Sequence, residues 1–142
     1  MPVLVMKFGG TSVASIDRIT RAAKRVAREV ALGYDVIVIV SAMSGKTNEL
    51  AGWVNDISPL HDAREYDAVV SSGEQVTAGL MAMALQKRGV TARSWMGWQI
   101  PIKTDNVHGK ARIEDIDTIE LHKRLNAGEV AVIPGFQGVT AL

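Results

Sequence analysis

The chain contains no cysteine, which excludes disulfide staples and thiolate zinc sites. It also lacks an excess of either charge. Lys and Arg number 16 against 15 Asp and Glu, interspersed along the chain, for a formal net charge of +1. No general attraction to nucleic acid or to an anionic membrane follows from such a balance, although a local phosphate site stays open. Long apolar runs are missing too. The run Val3 to Met6 meets Lys7 and then two glycines, too short for a signal-peptide core. Val36 to Val40 falls far below the roughly 20 residues of a membrane span. These absences predict a cytoplasmic protein with neither a nucleic-acid nor a membrane partner.

At 142 residues the chain has the length of one domain, long enough to bury about two-thirds of its unfolded surface. Its 47% apolar and 22% charged residues are ordinary for a globular domain. Val3 to Phe8 is an apolar, β-branched run that stops at Gly9-Gly10 and predicts a buried strand. Ile16 to Leu32 places Ile16, Ile19, Ala23, Val26, Ala27 and Val30 at helical spacing, with Ser15 as N-cap and Gly33 after the last turn. Val36 to Val40 is a second apolar strand. Strands apolar on both faces, joined through such a helix, predict a parallel βαβ unit covered on both sides.

Farther along, a helix is expected from about Asn48 to Ile57, then a polar loop with Ser58, Pro59, His61 and Asp62. Arg64 to Val70 fits helix or strand. Gln75 to Lys87 reads as a helix closed by Gly89, and Val90 to Trp95 and Gln99 to Ile102 as short strands. Ile116 to Asn126 reads as a helix, and Val130 to Ile133 as a strand broken by Pro134-Gly135. The alternation predicts an α/β fold, a three-layer αβα sandwich with a mainly parallel sheet. In such sheets ligands sit at the carboxyl ends of strands, so the closing "GFQGVTAL" is expected to be functional.

"SGKT" (Ser44 to Thr47) resembles the end of a Walker A loop. That loop needs a glycine five residues before its second glycine, so that the backbone can curl round phosphates. Val40 stands there, and the phosphate-loop reading fails on spacing. "KFGGTS" (Lys7 to Ser12) places a cation at the end of an apolar strand, which is costly unless the lysine reaches solvent or an anion. Gly9 and Gly10 admit close approach of backbone amides, and Thr11 and Ser12 add hydroxyls. The pattern suits a transferring phosphoryl group; a glycine turn beside a solvated lysine is the plain alternative.

"SSGEQ" (Ser71 to Gln75) has the S-x-x-E spacing of a capping box opening the next helix. Alternatively, Glu74 at a helix start binds a substrate ammonium. In "DNVHGKARI", Arg112 has the chemistry to grip a carboxylate through two N–H groups, and a solvated basic loop is the competing reading. His61 and His108 lack partners at metal-ligand spacing, so no metal site is expected there. Trp95 and Trp98 point to packing, and Met81 and Met83 to core or a subunit interface.

Taken in order, "VMKFGGTSV", "VSAMSGKTNEL", "VVSSGEQVTAGLMAMAL", "HGKARI" and "VIPGFQG" resemble the aspartate kinases of the amino acid kinase superfamily. The resemblance runs the length of the chain. It implies transfer of the γ-phosphoryl group of ATP, as its Mg2+ complex, to the β-carboxylate of L-aspartate. The product is 4-phospho-L-aspartate, at the entry to lysine, threonine and methionine synthesis. By matching motif it implies that Lys7 is the catalytic cation, with Gly9, Gly10 and Ser12 at the phosphoryl group. Ser41 and Thr47 would line the pocket, Glu74 would hold the aspartate ammonium, and Arg112 its α-carboxylate.

In the family a GGSD-type segment, a nucleotide- and magnesium-binding half and regulatory ACT domains follow "GFQG". The expectation for residues 1–142 is therefore the aspartate-binding portion of a catalytic domain, an incomplete fold that does not turn over alone. The complete enzyme would be a homo-oligomer. A glutamate or acetylglutamate kinase is disfavoured by KFGGTS together with SSGE. A non-catalytic binding or dimerisation fragment of the same fold is the alternative.

Overall fold

The computed structural model describes residues 2–60, 62–100, 102–104, 106, 113–116, 118–135 and 139–140. Among these the elements run β1 (Val3–Phe8), α1 (Ile16–Ala31), β2 (Asp35–Val40), α2 (Lys46–Ile57) and α3 (Ala63–Lys87). Then come β3 (Ala92–Ser94), β4 (Ile102–Thr104), β5 (Ile113–Ile116), α4 (Ile119–Asn126), β6 (Val130–Pro134) and β7 (Val139–Thr140). A 3-10 turn over Gly10–Val13 joins β1 to α1.

The main sheet has the order β1-β2-β6-β3, and every neighbouring pair is parallel. Its register sets Lys7 beside Ile39 and Ile39 beside Ile133. A smaller sheet has the order β5-β4-β7. Period-two alternation sorts the side chains of β2: Val36, Val38 and Val40 are buried on one face, while Ile37 and Ile39 turn to the other. On the first face they pack with Ile19, Ala22, Ala23 and Val26 of α1 and with Ala78, Met81, Ala82 and Leu85 of α3. On the second, Ala131 and Ile133 of β6 pack with Leu121 and Leu125 of α4, Trp95 and Ile100. Helices on both faces of a parallel sheet give the expected three layers. No helix among the described residues is long and apolar enough to cross a membrane.

Burial of β1 differs from expectation. Val3 is 48% and Val5 58% exposed, on the same face as Lys7, whereas Phe8 is buried against α1. The strand lies at the sheet edge, beyond the cover that α4 gives to β6 and β2. Its composition signals affinity for an apolar layer but not whether that layer is present.

Local signals set most element ends. Ser15 Oγ accepts from Arg18 N at 3.2 Å, and Gly33, at φ 100°, closes α1. Asp62 caps α3, accepting from Arg64 N at 2.7 Å and Glu65 N at 3.3 Å. That cap corrects the reading of "SSGEQ". Helix α3 is continuous from Ala63, so the ambiguous segment 64–70 is its first half and Ser71 to Glu74 lie mid-helix. There is no capping box, because Ser71 Oγ donates to Ala68 O and Ser72 Oγ to Val69 O. Glu74 is therefore not at a helix start under either expectation. Gln99 and Ile100 lie in a turn rather than a strand, and α4 begins at Ile119 because 113–116 forms β5.

Candidate functional site

Parallel pairing brings the carboxyl ends of β1, β2, β3 and β6 to one edge of the main sheet. There Ser41 N donates to Phe8 O at 3.2 Å and Gly135 N to Val40 O at 2.9 Å. The turns after three strands are thus tied into one rim. The loop after β2 turns at Gly45, whose φ of 81° is left-handed, and Lys46 N donates back to Met43 O at 2.9 Å. Helix α2 starts at once, which places Thr47 in its first turn.

Across from Thr47, α3 presents Tyr66, Val70 and Glu74. Their four-residue spacing sets them on one helix face. These four side chains line an open cleft of about 210 Å³. Glu74 is half-buried there, whereas Thr47 is exposed. The cleft offers a carboxylate, a hydroxyl, a phenol and an apolar wall, a donor and acceptor set for a small polar molecule carrying a cation.

The other expected residues are distributed around this cleft. Ser41, half-buried at the end of β2, belongs to the rim but not to the cleft lining. Lys7 is exposed at the end of β1, on the face opposite Phe8. Gly9 is extended, at φ −74° and ψ 173°, and precedes the 3-10 turn that begins at Gly10. Ser12 faces a different hollow, of about 220 Å³, lined also by Phe8, Arg18, Arg21, Ala22 and Arg25. Arg21 is paired with Asp17 at 3.0 Å there. Arg112, with Lys110, His108 and His61, lies outside the described residues.

Lys46, dismissed above as a phosphate ligand, opens α2 and pairs with Glu49 at 2.9 Å. Trp95 and Met81 are core residues, whereas Trp98 is 58% and Met83 65% exposed. Among the described residues, no three His, Asp or Glu side chains gather to hold a metal ion. Tyr66 and Val70 are the cleft residues that sequence reasoning missed. Four-residue spacing back from Glu74 would have found both, had 64–70 been read as helix.

A family model described as the amino acid kinase family matches residues 2–142. The aspartokinase of Pseudomonas aeruginosa is 51% identical over 139 residues, which cover 98% of this chain and 34% of that protein. The chain thus spans about a third of the length of the curated relatives it matches. Among solved structures, aspartate kinase from Synechocystis superposes with a TM-score of 0.85 at 39% identity, over 96% of this chain and 22% of the other. Aspartokinase III of E. coli, solved in complex with aspartate and ADP, superposes with a TM-score of 0.83 over 99% of this chain and 42% of the other. At 23% identity that last match speaks for the fold alone.

Proposed function

The chain belongs to the amino acid kinase family, and from that premise we propose that it is the aspartate-binding portion of an aspartate kinase. The observation that carries the proposal is the cleft shared by Thr47 and Glu74. Glu74 supplies the single negative charge that an α-ammonium group requires, and its partial burial strengthens that attraction relative to water. Thr47 adds a hydroxyl able to donate to or accept from the substrate. Arg112 is assigned the α-carboxylate through the family motif.

In the reaction proposed, a β-carboxylate oxygen of L-aspartate forms a bond to the γ-phosphorus of ATP. The bond from that phosphorus to the bridging oxygen breaks, and ADP leaves with the electron pair. The product is 4-phospho-L-aspartate. Such a transfer depends chiefly on positioning and on neutralising the charge of the phosphoryl oxygens. Lys7 is the cation proposed for that work, with the amides of Gly9 and Gly10 beside it and Ser41 on the rim between the two substrates. Ser12, in the arginine-lined hollow, is proposed for the same phosphoryl group through the family motif. Mg2+ is proposed as a companion of ATP rather than an ion held by these residues. Cytoplasmic location, homo-oligomerisation and lack of turnover by residues 1–142 alone complete the proposal.

Calorimetric titration tests the substrate assignment. L-aspartate is expected to bind saturably, and succinate, which lacks the ammonium group, at least tenfold more weakly. Glu74→Gln should remove the difference between the two. Equal binding of both ligands by the unaltered chain would overturn the role given to Glu74.

A further inference from the structure

Gly73 precedes Glu74 in the middle of α3, where glycine is the poorest ordinary helix former. Nothing about the backbone calls for it, since the helix continues unbroken on both sides. Its surroundings do. A Cβ placed on Gly73 would stand 3.2 Å from Ala42 Cβ, 3.2 Å from Leu50 Cδ1 and 3.3 Å from Lys46 Cγ, all inside the usual carbon–carbon separation. The helix therefore lies directly on Ala42 of the loop after β2 and on Lys46 and Leu50 of α2.

Gly10 also approaches this loop closely. A Cβ on Gly10 would stand 3.1 Å from the carbonyl oxygen of Ala42, a backbone atom that cannot rotate away. Ala42 is itself buried. Thr77, fully buried one turn beyond, donates its hydroxyl to Gly73 O at 3.2 Å. Two glycines from distant parts of the chain thus both approach Ala42 closely.

We propose that Gly73 is a positioning residue: the absence of its side chain sets how closely Glu74 approaches Thr47, and so the width of the substrate cleft. The inference rests on the aspartate reading of that cleft. A methyl group at position 73 pushes α3 away from Ala42 and from Lys46 and Leu50 of α2. Glu74 and Thr47 then separate by a few tenths of an ångström, enough to weaken a ligand held between them.

The experiment compares glycines within helices. Gly79 in α3 and Gly52 in α2 have open space where a Cβ would stand, so Gly79→Ala and Gly52→Ala should raise the thermal midpoint and leave L-aspartate affinity within twofold. Gly73→Ala should weaken binding at least tenfold without raising the midpoint. Adding Ala42→Gly, which removes one of the three close contacts, should restore part of the lost affinity. Gly73→Ala binding within twofold of the unaltered chain overturns the proposal. If the unaltered chain does not bind L-aspartate, the substrate reading fails instead, and amide chemical shifts of the ligand-free chain decide the geometry. Residues 41–47 should then shift in Gly73→Ala and not in Gly79→Ala, and unchanged shifts overturn the proposal.

Discussion

The face of the main sheet beneath α1 and α3 is closed by Val36, Val38, Val40, Met81 and Leu85, all buried. Among the described residues, α4, Trp95 and Ile100 cover the opposite face over β6 and part of β2, while Val3, Val5 and Lys7 of β1 are exposed. Of the residues proposed for aspartate, Glu74 stands on α3, which packs on the closed side, and Thr47 on α2 beside it. The lysine proposed for the phosphoryl group stands on the open side. On that proposal, recognition of the amino acid would be built on packed elements, while charge neutralisation would depend on an exposed side chain.

Substitutions on the two faces put that contrast to the test. Leu85→Ala empties part of the closed core and should cost about 2–5 kcal/mol in urea unfolding. Val5→Ala on the open face should fall within about 0.5 kcal/mol. Similar costs at both positions would erase the distinction. Asp62→Ala removes the cap of the helix that bears Tyr66, Val70 and Glu74 and should cost about 1 kcal/mol by the same measurement. Lys46→Ala breaks an exposed pair with Glu49 and should change stability by no more than about 0.5 kcal/mol. It should leave ATP affinity unaltered in any longer form of the protein that binds the nucleotide, as a lysine outside a phosphate loop would. A large loss there would reinstate the Walker A reading.

Much of this layout is legible in the residues. The strand at Val3 to Phe8, the helix capped by Ser15 and closed by Gly33, and the strand ending at Val40 follow from period and punctuation. The first half of α3 does not. Its Ser71-Ser72-Gly73 run reads as a helix start, because serine and glycine favour caps over interiors. Gly73 instead lies mid-helix against Ala42, and nothing local announces a contact 31 positions away. Strands β5 and β7 are short, and alternation over so few residues carries little signal. The open face of β1 is hidden for a different reason, since valine has the same propensity whether or not a layer covers it. Glu74 and Thr47 were legible as chemistry through their motifs, but that they share a cleft with Tyr66 and Val70 emerges only from the packing.

Amide chemical shifts recorded during titration with L-aspartate locate the ligand residue by residue. Perturbations are expected to centre on Thr47, Tyr66, Val70 and Glu74 and on the rim at 41–45, with Val3 to Lys7 little changed. Shifts concentrated on Val3 to Lys7, or none at saturating ligand, would contradict this expectation.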